Sequence, residues 1–387
     1  MKKLTIALSI MVLCAMVTST MAEEGATPKR TYTHVPLSIS FIPNLSIGGL
    51  IGGNVITNCS INIIAGYYAR LRGVEFGSVL NWETEEVLGA QFSGVVNLLE
   101  NGDLKGLQAG VLNYVGGNTF GSQLGVANYI YEDLFGIQSG VVNYSGAAVM
   151  GAQLGVVNYT GESFSGIQVG TANYINYAGN ISDRAAQIAV VNVAGELTGA
   201  QIGVVNIARK MKGTQIGVLN YADELDGAPV GIFSFVRKGQ IHVDLWASET
   251  SIANMALKTG SKHFYSILAT GFHPSDPYRF SYGVGIGGHI PHGSRFVNVE
   301  ALSFQVYEDI AEADRWNDKI HLISKLRLIG GWEINPRFSA FAGLTLNVFV
   351  SEVNDGEHIA IASFYEYNDA DKRWVRMWPG FVAGIQF

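Results

Sequence analysis

One phrase recurs from about residue 73 to 235 and limits what this chain can fold into: Gly-x-Gln-apolar-Gly-Val-Val-Asn. Clean copies read Gly151-Ala152-Gln153-Leu154-Gly155-Val156-Val157-Asn158 and Gly199-Ala200-Gln201-Ile202-Gly203-Val204-Val205-Asn206. The glutamines are Gln91, Gln108, Gln123, Gln138, Gln153, Gln168, Gln187, Gln201 and Gln215. The asparagines are Asn81, Asn97, Asn113, Asn128, Asn143, Asn158, Asn173, Asn192, Asn206 and Asn220. Glu75 and Pro229 hold the glutamine slot in worn copies at the two ends, as terminal repeats do.

A unit of ~15 residues makes a strand and a return, with no core of its own, so it must stack on its neighbours. Stacked in register, the amides of Gln and Asn form hydrogen-bonded ladders. The spacing predicts a parallel β-solenoid of about ten short coils. The apolar residues after Gln (Leu124, Leu154, Ile202, Ile216) and the Val pairs are expected as a buried row. A second apolar position, four before most glutamines (Leu104, Leu134, Phe164, Leu197, Met211), is expected to fill the core from the other side. Ala185 and Ala189 replace the two glycines around Gln187 and put the regularity of that coil in doubt. The alternative is one large antiparallel barrel with each repeat a membrane strand. Near-identical turns at near-identical lengths favour stacking in one direction, since the two ends of a membrane barrel carry different loops. The ladder residues read as structural, because a catalytic site needs unlike groups converging. The acidic residues Glu83, Glu85, Glu86, Glu132, Asp133, Glu162, Glu196, Asp223, Glu224 and Asp226 fall between the repeat cores, in expected solvated turns.

After Lys238 the pattern changes to long segments of period two, the signature of half-buried strands. Eight are expected: 239–249, 251–259, 262–272, 278–290, 295–307, 319–333, 337–351 and 377–387. Eight is the smallest number that closes an outer-membrane barrel, and side chains fill such a barrel. The more polar faces carry His242, Asp244, Lys258, Glu300, Lys325 and Arg327, which would meet inside as plug-like packing. Tyr278, Phe280, Trp332, Phe338, Phe349, Trp374 and Trp378 lie near segment ends, where aromatic girdles form.

The ends of the chain give the address. Lys2 and Lys3, the apolar stretch Leu4 to Val17 and the small residues up to Ala22 read as a secretory signal over residues 1–22. Leu13 argues against lipidation at Cys14. Past that signal one cysteine remains, Cys59, so no internal disulfide is expected. At the other end Phe381, Ala383, Ile385 and Phe387 alternate. This pattern resembles the C-terminal strand by which outer-membrane proteins are recognised by the barrel-assembly machinery. A net charge of −7 argues against nucleic acid. Gly283-Val284-Gly285-Ile286-Gly287-Gly288 matches a dinucleotide fingerprint, but His289-Ile290-Pro291 follows where a helix is required. His289 and His292 have no third ligand nearby in sequence, so no metal is expected. No catalytic residue and no cofactor are predicted.

The repeat Gly-x-Gln-x-Gly-Val-x-Asn-Tyr is similar to that of the surface-repeat proteins of spirochaetes and Bacteroidetes. The stretches Val35 to Asn44, Ser60 to Gly66 and Phe338 to Val350 resemble the same family. The resemblance implies a surface location and no reaction. The expected organisation is a signal peptide (1–22), N-terminal strands or cap (23–68), a repeat array (69–237) and a barrel-like domain (238–387). The expected function is a non-enzymatic outer-membrane or surface protein in a structural, adhesive or display role. A pore or small-solute conduit and a periplasmic carbohydrate binder are the alternatives. The expected partners are outer-membrane lipid and the assembly machinery.

Overall fold

The computed structural model describes residues 30–47, 53–176, 184–274, 278–308, 320–352, 359, 363–369 and 373–387. The signal segment lies outside the described residues. The chain is all-β: a parallel solenoid of about ten coils, then a closed antiparallel barrel of eight strands.

Stacking begins early. Thr33–Ile42 pairs in parallel with Val55–Asn62, which pairs in parallel with Ala65–Gly77. Between Val96 and Ile175 each coil has two short parallel strands, which run together into longer ones at Leu80–Ser93, Val191–Ile202 and Val205–Val236, and like residues pair with like: Gln138 with Gln153, Asn143 with Asn158, Tyr144 with Tyr159. The period of the sequence is thus the period of the fold. The coil around Gln187 stays in register, with Ala185 between Gly166 and Gly199.

The glycine two before every glutamine of the array except Gln187 sits where a side chain does not fit. At Gly136, Gly151 and Gly166 φ is 151°, 147° and 135°. A β-carbon there would overlap the carbonyl oxygen of the same glycine one coil back. Ala185 is not among the positive-φ residues, so the chain takes that column differently where alanine enters it.

The core reverses one expectation. Gln and Asn are buried along the whole array, while Leu124, Leu154, Ile202 and Ile216 are about 40% exposed. The valines of the Gly-Val turn are equally exposed, Val126 at 50% and Val204 at 47%. Neighbouring residues of a strand face opposite ways, so a buried Gln forces the next residue out. The apolar core lies at the opposite edge of each coil. Leu104, Leu134, Phe164, Leu197 and Met211 form one side of it, as expected, and Leu99, Val115, Ile130 and Ile175 the other.

The barrel strands are Gln240–Ser248, Ala253–Gly260, Phe264–His273, Arg279–His292, Arg295–Glu308, His321–Asn335, Phe338–Ser351 and Arg373–Gln386. Each pairs antiparallel with the next, and the last closes on the first through Leu245 opposite Ile385. A short strand, Tyr365–Asp369, adds to the last. The glycines of the fingerprint lie within the fourth strand, Arg279–His292. Outward faces carry apolar residues, including Phe381 and Phe387 of the alternating C-terminal row. Three of the expected girdle aromatics face in instead: Phe349, Trp374 and Trp378 are buried in the barrel core. Their strands place them at inward parity, which overrides their position near strand ends.

Gly151→Ala should cost about 3 kcal/mol of stability, since it sets strain at positive φ beside an overpacked contact. Denaturant midpoints of the folded protein check it. Ala186→Gly, outside that column, should cost under about 1 kcal/mol.

Candidate functional site

Two polar assemblies are candidates: the amide columns of the solenoid and the charged cluster inside the barrel. Each is built by strands that place one residue type at one height.

In the first, each Asn Nδ2 donates to Oδ1 of the asparagine one coil on. The bonds from Asn113 to Asn128, Asn128 to Asn143 and Asn143 to Asn158 are all 2.8 Å. The column continues through Asn173, Asn192, Asn206 and Asn220 and ends on Ser234 Oγ at 3.2 Å. From Asn113 to Asn220 the second N–H is used too: Asn143 Nδ2, for one, donates to the Leu154 carbonyl at 2.9 Å. The glutamines run the other way. Gln108 Nε2 donates back to Gln91 Oε1 at 2.9 Å, and the pattern repeats through Gln123, Gln138, Gln153, Gln168, Gln187, Gln201 and Gln215.

The N-terminal end explains the direction. Glu75 sits in the glutamine slot, and its carboxylate is acceptor-only. Gln91 Nε2 donates to it at 3.0 Å and Asn62 Nδ2 at 2.6 Å. Every later glutamine must then donate toward Glu75. Glu83 stands beside it, fully buried and bonded by Gln91 Nε2. Burial first, then the charge of Glu75, pushes the Glu83 carboxyl well above the usual carboxylate range. Burial and the neighbouring Glu75 thus both disfavour a charge on Glu83. This corrects the expectation of a solvated turn. Glu83 lies two after Asn81, in the column Leu99 occupies one coil later. Glu196 is also buried, its side chain 4% exposed and paired with Arg209 and Lys210.

In the second assembly, Lys258 bridges Asp244 (2.6 Å) and Glu300, and Arg327 binds Glu300 through Nε at 2.8 Å and through Nη2. Tyr265 Oη donates to Glu300 at 2.6 Å, Gln386 Nε2 to Asp244 at 2.9 Å, and the Arg327 guanidinium lies 4.6 Å from the Trp246 ring centroid. Lys325 belongs to a separate group: it bonds Thr250 and stands 4.0 Å from Glu249, which accepts from Asn347. His242 is part-buried near the strand end, its ring bonded to the Phe387 backbone. So four of the six predicted residues meet, while Lys325 and His242 do not join them. Tyr265 and Gln386 join the cluster without having been expected there, although period-two parity on their strands points them inward; Trp246 lies on the polar face of its strand with Asp244. Among the described residues, no three His, Cys, Asp or Glu side chains gather to hold a metal.

The cluster is charge-compensated and sealed. Asp244 and Glu300 balance Lys258 and Arg327, and all four are at most 1% exposed. Comparison with family models, curated proteins and solved structures returns no match to this chain.

Two outcomes follow. The folded pKa of Glu83 is raised, so its contribution is fully present below the unfolded carboxylate value and is lost as pH rises through the folded one. Stability should therefore fall with rising pH above about 4.5, and Glu83→Leu should remove that slope; denaturant midpoints across pH test it. Glu300→Gln leaves Lys258 and Arg327 buried without their full counter-charge and should cost roughly 3–5 kcal/mol, read from the same midpoints.

Proposed function

We propose that this is a non-enzymatic outer-membrane protein that holds a repeat solenoid at the cell envelope in a structural, adhesive or display role. The observation that carries this reading is the closed eight-stranded barrel with an apolar outside and a compensated, filled inside. Fourteen-residue strands such as Arg279–His292 rise ~3.3 Å per residue and, tilted by ~40°, reach about 35 Å, enough for a ~30 Å hydrocarbon core. A water-soluble barrel has no reason to set Leu326, Leu328, Leu344 and Phe381 outward at 53–71% exposure. The lumen cluster supports a closed plug in place of a pore, because every charge there has its partner within the wall. The resemblance of the repeats to envelope surface-repeat proteins points the same way, as does the outward row ending at Phe387, suited to recognition by barrel-assembly machinery.

The folded protein should resist osmotic-shock release, require detergent for extraction and migrate faster on gels unheated than boiled. Release by osmotic shock alone would sink the proposal. In planar bilayers it should show no conductance steps; steady single-channel currents would turn the reading toward a conduit.

A further inference from the structure

The solenoid does not stand clear of the barrel. Ser261, in the short turn after the second barrel strand, donates through Oγ to the Gly227 carbonyl at 2.7 Å. Ser266 and Ser234 hydroxyls meet at 2.9 Å. The turn of the last coil reaches further along the wall. Val230, Gly231 and Ile232 border a cleft of about 590 Å³ whose other side is the outer barrel surface at Val284, Ile286 and Leu346. That coil therefore climbs from the short-turn end of the barrel to mid-height and returns. Its apolar edge points to mid-height, and its polar edge, with the ion pair Arg237–Asp223, stands at the short-turn end.

The same polarity runs the length of the array. From each glutamine slot to the residue after each asparagine slot, the ten copies beginning at Gln91 contain no Asp, Glu, Lys or Arg. At the chain average of 15% charged, about ten would fall in those seventy or so residues. The charges sit at the opposite edge, as at Glu132 and Asp133. Between the two edges runs a row of stacked tyrosines, Tyr114, Tyr129, Tyr144, Tyr159 and Tyr174, with neighbouring ring centroids 4.6–5.2 Å apart. Tyrosine is the residue favoured where apolar surroundings meet water. From the Tyr row to the Gly-Val turn is about four residues, or ~13 Å of strand, close to half of a ~30 Å hydrocarbon core. Ten coils at ~4.8 Å each make this edge nearly 50 Å long. An apolar surface of that size exceeds the few hundred Å² a soluble monomer exposes.

We infer that the solenoid lies in the plane of the membrane, its Gly-Val edge sunk into the acyl chains of one leaflet, on the side of the barrel's short turns. The occupant of the edge and of the cleft against the barrel is lipid. Continuity with the barrel wall, the charge-free window, the tyrosine row and the one-leaflet depth all specify it. The inference rests on the reading of the barrel as membrane-spanning.

The test uses the full chain with Cys14→Ser and Cys59→Ser, carrying Val141→Cys, Glu132→Cys or Leu326→Cys, each labelled with bimane. The protein is reconstituted in phosphatidylcholine vesicles with and without acyl-brominated lipid. All three positions are exposed on the protein, so folding is unaffected. Bromine should quench Val141 and Leu326 by at least twofold and leave Glu132 within about a tenth of its unbrominated emission. Quenching at Leu326 but not at Val141 would overturn this inference alone, and would show the edge in water or covered by a second copy. Quenching at none of the three would remove the barrel from the bilayer and the inference with it. Equal quenching at all three would also overturn it, because the array would then be immersed whole.

Discussion

The fold rests on the side-chain amide that hydrogen-bonds to its own image one coil away. A buried amide with an unmet donor or acceptor costs about 1–3 kcal/mol, whereas along these columns the amides meet one another, the last glutamine's Oε1 at Gln215 apart. Once Gln and Asn take the inside, strand alternation sends Leu, Ile and Val out. A core of amides and an apolar skin thus share one cause. In water that exchange is unfavourable, since burying valine is worth more than burying a satisfied amide. It becomes sensible where the solvent on one edge is itself apolar.

The barrel follows the same arithmetic with charges. Lys258 and Arg327 share Glu300, while Asp244 takes the rest of Lys258 and the Gln386 amide. Removing any one member strands the others in a low-dielectric interior. Both halves of the chain therefore turn polar groups inward and saturate them, and both leave apolar surface outside. The junction at Ser261 and Ser234 joins two outer surfaces of one character.

Much of this was legible in the sequence. Repeat spacing foretold coil number, and period two foretold all eight barrel strands within a few residues. The inward cluster of Asp244, Lys258, Glu300 and Arg327 came from the same parity. The errors share a root. Expecting the apolar residue after each Gln inside weighs hydrophobicity above the alternation that turns Gln inward. Expecting Trp374 and Trp378 in a girdle weighed position along the strand above face. Placing Glu83 in a turn follows from charge being usually solvated, yet its column, two after the asparagine, is an interior one. The window without charge was visible in the letters. Its meaning needed the coil's two edges, which only the pairing of strands defines.

The opposed directions of the two columns have one more consequence. Each amide carries a dipole of a few debye, about that of a peptide group. Ten aligned in a single column would build an end-to-end field that grew with every coil. Here the asparagines donate toward the barrel and the glutamines donate away from it, so the two sums oppose each other. The array can gain or lose a coil without changing the electrical balance at either end. Its length is thus free to drift, as tandem units do, while the barrel it leans on stays the same.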